Sequence, residues 1–173
     1  MEKKIKIVIS ACLLGDTVRY DGGHKLDHYL RDTLGQHVEW IPVCPEVEAG
    51  FTVPREPMQL VGEAVPPRLV TIGTRQDRTE ELMRWTRKKI QHLEHEKICG
   101  FVFKARSPSC GVHDAPLHLA TGEVVGAGTG LFAEAVKRHF SSLPVEDEER
   151  LRDSSVRETF LERIFMCGPG SST

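Results

Sequence analysis

Lys3-Lys-Ile-Lys-Ile-Val-Ile-Ser-Ala-Cys-Leu-Leu-Gly15 opens with β-branched residues alternating with lysine and then turns wholly apolar before it reaches a cysteine. Alternation alone would give a half-solvated strand; an uninterrupted apolar run is what a strand buried on both faces carries, so Lys3 to Ser10 predicts a strand entering a parallel sheet. The strand ends in Ala11-Cys12-Leu13-Leu14-Gly15, and the turn-rich Arg19-Tyr20-Asp21-Gly22-Gly23 comes next. Leu26, Tyr29, Leu30 and Leu34 share one side of a helix from about Lys25 to Leu34, stopped by Gly35. His37 to Val43 predicts a second strand that runs directly into Cys44-Pro45-Glu46.

Val47 to Arg68 contains Pro54, Pro57, Pro66, Pro67, Gly50 and Gly62 and reads as an irregular functional loop or lid. Asp77-Arg78-Thr79-Glu80 has the form of a capping box, and Leu82, Thr86, Ile90 and Leu93 behind it mark a long amphipathic helix to about Lys97. Cys99 to Lys104 predicts a third strand, which runs into Arg106-Ser-Pro-Ser-Cys110-Gly111. Thr121-Gly122 suggests a hairpin, and Gly126-Ala-Gly128-Thr-Gly130 leads into a helix from about Leu131 to Phe140. Leu143-Pro144-Val145 reads as a last short strand, and Asp153 as the N-cap of a terminal helix through Phe165. Strands alternating with crossover helices imply one α/β domain over residues 1–173. Its mostly parallel sheet is flanked by helices in a Rossmann-like three-layer arrangement.

Composition narrows the function classes. With 173 residues and 39% hydrophobic content the chain can bury one core, and 15 Gly with 10 Pro fall short of low-complexity disorder. A formal net charge of -2 supplies no global basic field for nucleic acid. No apolar run reaches the roughly 18 residues of a membrane span. The N-terminus imitates a short export signal, and Ile9-Ser-Ala-Cys12 a lipoprotein box. Lys6 interrupts that run, however, and Ile7-Val8-Ile9 falls far below the roughly 7–15 apolar residues a signal needs. The expectation is a cytoplasmic protein whose five cysteines are reduced thiols and form no disulfides.

Cys12, Cys44 and Cys110 each follow a strand, Cys110 after a short turn, beside Gly15, Pro45, Pro108 and Gly111. Ligands of an open parallel sheet bind outside the carboxyl ends of its strands, so the three should converge in one crevice. Cys99 opens a buried strand and Cys167 lies near the terminus, and both are assigned to packing or surface thiols. Thiolates favour an iron–sulfur cluster or zinc over magnesium or calcium. His24 and His113 are conceivable fourth zinc ligands, although the close CxxC spacing of structural zinc is absent. A cubane given only three cysteines leaves one iron open to an outside ligand. Glu46, two residues past Cys44, and Ser107, three before Cys110, would face the same crevice as general base and proton relay. A Glu46 ion pair with Arg55 or Arg106, and a turn hydrogen bond from Ser107, are their purely structural alternatives.

Ile9-Ser-Ala-Cys-Leu-Leu-Gly15, Val18-Arg-Tyr-Asp-Gly22, Cys44-Pro-Glu-Val47, Pro54-Arg-Glu-Pro57 and Ser107-Pro-Ser-Cys-Gly111 together resemble the DUF523 family, whose characterised branch contains the thiouracil desulfurases. The resemblance spans essentially the whole chain in order. It implies a [4Fe-4S] cluster held by Cys12, Cys44 and Cys110, a fourth iron that binds the sulfur removed from a thiolated pyrimidine, and Glu46 and Ser107 as the acid/base pair. Longer relatives with an extra domain are associated with thiouridine in tRNA, and tRNA thiouridine desulfuration stands as an alternative; this chain and its charge point to free thiouracil or a thiolated nucleoside or nucleotide. Tyr20, Asp21 and Arg55 are the expected substrate contacts, with Gly128 and Thr129, whose loop could offer backbone N–H groups. Two other readings stand beside this one: a non-catalytic cluster or zinc protein in redox sensing or sulfur handling, and a nucleic-acid module using Lys104, Arg106 and Arg87-Lys88-Lys89. The last run also reads as one solvated helix face.

Overall fold

The computed structural model describes residues 3–63 and 65–168, so the outermost positions of the expected 1–173 domain lie outside the described residues. Along the chain run β1 (Ile5–Ser10), β2 (Val38–Val43), α1 (Pro45–Glu48), β3 (Met58–Val61), β4 (Arg68–Thr71), α2 (Thr79–Leu93), β5 (Ile98–Phe103), β6 (Ala115–His118), β7 (Val124–Gly128), α3 (Leu131–His139), β8 (Val145–Asp147) and α4 (Ser154–Met166). Two four-stranded sheets result, ordered β2-β1-β5-β8 and β4-β3-β6-β7. Every pairing in the first is parallel.

The apolar run of β1 is divided between two layers, because successive side chains point to opposite faces. Ile5, Ile7 and Ile9 pack with Leu30, Leu34, Phe160 and Ile164, that is, with the segment after the first turn and with α4. Val8, with Phe101 and Phe103 of β5, packs against Ile90 and Leu93 of α2 and Phe132 and Val136 of α3. Helices therefore cover both faces of the parallel sheet, as the continuous apolar pattern requires. The second sheet adds Leu60, Leu69 and Ala115 to Leu82 of α2 and Leu131 of α3. Its two outer pairings are antiparallel, and β3 with β6 is parallel.

Several expectations change. Val47–Arg68 is not irregular throughout: Met58–Val61 and Arg68–Thr71 are strands, too short for alternation to declare itself. The helix expected from Lys25 begins only at His28 and continues as one wide turn (Tyr29–Thr33) and a 3-10 turn (Leu34–Gln36). Lys25 and Asp27 instead donate their N–H groups to the carbonyls of Cys12 and Leu13, which draws that stretch alongside the Cys12 turn. Asp77 stands one residue before the cap position of α2, which Arg78 occupies. Its Oδ1 still accepts the Thr79 N–H at 2.9 Å and its Oδ2 accepts from Arg68 Nε at 2.7 Å, and α2 stops at Leu93. Asp153 does cap α4, accepting the N–H groups of Ser155 and Val156.

Cys99 and Cys167 are joined by a disulfide, with Cα atoms 5.5 Å apart, which corrects the expectation of free thiols at both positions. Cys99 lies in β5 and Cys167 follows α4, whose Ile164 packs in the same core cluster as Cys99. Sixty-eight residues of separation hide that neighbourhood from a linear reading.

Candidate functional site

β1, β2 and β5 end side by side, and each passes into a sharp turn carrying one free cysteine. Cys12 sits in a 3-10 turn (Ala11–Leu14) closed by Gly15, whose φ of 98° is a left-handed conformation that glycine adopts without strain. Cys44 precedes α1, and its N–H donates to Glu48 Oε2 at 3.0 Å, so the helix reaches back to fix the residue before it. Ser107 Oγ accepts the N–H groups of Ser109 at 3.2 Å and Cys110 at 3.0 Å, which folds the Ser-Pro-Ser-Cys turn. Gly130 then lets α3 press onto that turn: a methyl group there would lie 2.5 Å from the Ser109 carbonyl carbon and 2.8 Å from Cys110 N.

The three cysteines, Glu46 and Ser107 line one cavity of about 340 Å³. Burial pushes the Cys12 thiol up to about 11, with Arg19 and Lys104 pulling it back. Burial likewise raises Cys44 and, further still, Cys110, and the three sulfurs repel one another's charge. As free thiols these groups are protonated at neutral pH. Only a positive centre bound among them would make three buried thiolates stable there. Among the described residues, the three are not among the side chains gathered closely enough to share one metal ion. A single tetrahedral zinc with bonds of about 2.3 Å needs sulfurs about 3.8 Å apart, so the donor set fits a wider, multinuclear centre better. His24 and His113 do not line the cavity. His113 Nε2 lies 3.1 Å from Glu146 Oε1, in a separate group with Asp147.

Glu46 is held on both oxygens. Arg55 Nε donates to Oε1 at 3.3 Å and Ser109 Oγ to Oε2 at 3.2 Å, and both members of the ion pair are nearly buried. Since the Ser109 proton is committed to Glu46, Ser107 is the donor in its 3.1 Å contact with Ser109. The result is a directed chain of hydroxyls from Ser107 through Ser109 to Glu46. The ion pair and turn bond that served as structural alternatives for Glu46 and Ser107 are thus present within the same arrangement.

Tyr20 and Arg55 line the cavity as well, and Asp21, Gly128 and Thr129 do not. Asp21 Oδ1 accepts the Gly23 N–H in an exposed turn. Gly128 ends β7 against Leu117, and Thr129 donates its hydroxyl to the Val112 carbonyl. The glycine loop therefore supports the Cys110 turn from behind. Ser10, Arg19 and Ser109 also line the cavity, although sequence reasoning does not single them out as site residues, and so does Lys104, which the sequence offered only to nucleic acid. Ser109 could have been found, because it lies in the same short motif as Ser107. Lys104 forms a buried pair with Glu148 at 2.6 Å, with side chains 11% and 5% exposed. The basic run proposed for nucleic acid is largely neutralised: Arg87 pairs with Glu80, Lys89 with Glu48 and Arg106 with Glu149.

Three free thiols and a doubly held carboxylate are gathered at the carboxyl ends of parallel strands in an α/β fold. The model of the 2-thiouracil desulfurase family matches residues 7–148, and the chain belongs to that family. A solved structure described as the [4Fe-4S]-dependent thiouracil desulfidase TudS (DUF523Vcz) is similar over 90% of this chain and 99% of its own, with 32% identity and a TM-score of 0.71. YbbK of Bacillus subtilis (strain 168), whose description is "uncharacterized protein", is 29% identical over 110 residues, covering 61% of this chain and 72% of that protein. Among the described residues no helix is long and apolar enough to cross a membrane.

Proposed function

We propose that this chain hydrolytically removes sulfur from a thiolated pyrimidine, 2- or 4-thiouracil or its nucleoside or nucleotide, with a [4Fe-4S] cluster held by Cys12, Cys44 and Cys110. The observation that carries the reading is the convergence of three free thiols with Glu46 in one cavity. When bound, the cluster supplies a soft Lewis acid with one iron left free by the protein, which prefers thiocarbonyl sulfur to oxygen. The balance is C=S plus water giving C=O plus hydrogen sulfide, with no net electron transfer.

The chain's own residues supply the proton chemistry. Glu46 takes a proton from the attacking water while Arg55 keeps its carboxylate aimed into the cavity. The hydroxyls of Ser109 and Ser107 give that proton a path back toward the pyrimidine ring or the departing sulfide. Tyr20 and Arg55 form the wall against which a flat ring would lie. The fold acts as one domain in the cytoplasm, on a small molecule rather than nucleic acid.

The test is anaerobic: reconstituted protein is supplied with 2-thiouracil or 4-thiouracil and no reductant, and thiocarbonyl absorbance and sulfide are followed together. One sulfide per uracil over many turnovers is expected. A strict need for an electron donor, or a single stoichiometric event, would favour redox sensing or sulfur handling instead.

A further inference from the structure

Cys99 and Cys167 form a thiol system apart from the three free cysteines. Cys99 is the second residue of β5, whereas Cys12, Cys44 and Cys110 follow the carboxyl ends of their strands, so the disulfide and the cavity lie at opposite ends of the parallel sheet. The two halves of the bond differ in access. Cys99 is buried in the core, and Cys167 is exposed, its Sγ 3.9 Å from the Ile98 carbonyl oxygen. A thiol arriving from solvent therefore meets the bond at Cys167 and not at Cys99.

The bond ties down a helix end that packing holds loosely. At its start α4 is well fixed: Asp153 caps it, and Arg157 Nη1 donates to the Leu151 and Arg152 carbonyls at 3.0 and 3.3 Å. Of its 13 residues only Phe160 and Ile164 are buried, and past Ile164 the chain shows Phe165, Met166 and Cys167 to solvent. Helices in proteins draw most of their stability from a buried face, and the end of α4 adds nothing to that face. Once the bond opens, the fold does little to hold the two thiols together, so their effective concentration is low and the exchange with outside thiols runs easily toward the open form. Two half-cystines on firmly packed elements would behave in the opposite way and resist reduction.

We propose that the Cys99–Cys167 disulfide is a redox-sensitive latch on α4, opened by small thiols and closed by their disulfides, which frees or pins the last turn of the helix. In the opening step a thiolate RS⁻ attacks the Cys167 sulfur, the S–S bond breaks, and the Cys99 thiolate leaves and takes up a proton. A second thiol then attacks the mixed disulfide and releases Cys167. The balance is one protein disulfide plus two RSH giving two cysteine thiols plus RSSR: two electrons pass from the small thiols to the protein. Closing is the same exchange in reverse, with RSSR as the oxidant. The latch does not depend on the cluster reading, because none of its atoms belongs to the cavity.

The test equilibrates the full-length protein anaerobically in glutathione buffers that run from oxidised to reduced. Exchange is quenched with acid, free thiols are alkylated, and the state of the peptides carrying Cys99 and Cys167 is read by mass. Amide hydrogen exchange is followed on the same samples. The pair is expected to be mostly bonded in oxidised glutathione and mostly dithiol in excess reduced glutathione, and exchange over residues 161–166 is expected to be about tenfold faster in the dithiol form. Cys167→Ser should show that faster exchange in every buffer. A bond that survives reduced glutathione would make the crosslink a permanent strut, and a pair that never closes in oxidised glutathione would remove the latch. Equal exchange in the two forms would leave the helix end nothing to switch. Each of these results would overturn the inference, and none bears on whether the chain desulfurates thiouracil.

Discussion

Replacing Gly130 by alanine tests whether the glycine loop serves the Cys110 turn. The φ of Gly130 is -58°, which alanine adopts freely, so no backbone strain enters and the effect is steric alone. The added methyl would lie 2.5 Å from Ser109 C, 2.7 Å from Ser109 O and 2.8 Å from Cys110 N, all main-chain atoms that cannot rotate aside. Separation must come from lifting α3 off the turn. Four hydrogen bonds oppose that: Gly130 N–H to Gly111 O at 2.7 Å, Leu131 N–H to Pro108 O at 3.1 Å, and Phe132 and Ala133 N–H to Ser109 O at 3.0 and 3.1 Å. Overpacking costs about 1–3 kcal/mol, and each hydrogen bond lost adds about 1 kcal/mol. A total of about 2–4 kcal/mol lowers Tm by about 4–16 °C in a chain of this size. Gly126→Ala is the control, because a methyl there meets nothing within 4 Å, and its effect should stay within about 0.5 kcal/mol. Thermal unfolding and iron per chain are measured on both variants. A Gly130→Ala protein that melts with wild type and binds as much iron would refute the reasoning.

Single replacement of Cys12, Cys44 or Cys110 by serine is expected to abolish iron loading, whereas Cys99→Ser and Cys167→Ser should retain it; normal iron in Cys44→Ser would remove that residue from the centre. Glu46→Gln keeps the shape of a side chain held by Arg55 and Ser109 but removes the base, so iron content stays normal while turnover falls by about two to four orders of magnitude. Iron loss in that variant would make Glu46 a ligand or a strut instead. Ser107→Ala should lower turnover more mildly, and because Ser107 Oγ also accepts the Cys110 N–H, iron content must be measured beside it.

How much of this was legible in the sequence depends on how far each interaction reaches along the chain. β1, β2 and β5 were readable because each is six residues of strongly patterned chain, and their shared ending in a cysteine turn pointed to the one cavity that the three cysteines line. The buried stripe Leu82, Thr86, Ile90 and Leu93 was readable from helical spacing. The second sheet was not. β3 and β4 are four residues each, set among prolines, and four of the five residues of β7 are exposed, so neither run length nor alternation marks them. The disulfide escaped notice for a different reason: packing of α4 against the sheet, not local pattern, brings Cys167 to Cys99.

The glycine loop and the charges of the cavity show a second limit. Three glycines before a helix have the composition of an anion-binding loop, yet the same composition arises where a helix must approach a turn closely, and only the neighbour identifies the cause. Here that neighbour is Ser109, 21 residues upstream of Gly130. Net charge is equally blind, because it sums over the whole surface while a ligand meets the local field. The chain totals -2, yet Arg19, Lys25, Arg55, Lys104 and Arg106 all line the cavity. Glu46, Glu148 and Glu149 pair with three of them, leaving Arg19 and Lys25 with no ion-pair partner among the described residues. Three thiolates brought together in a buried crevice would repel one another, so uncompensated cations beside them favour their gathering. The overall acidity of the chain and the basicity of its site are therefore compatible.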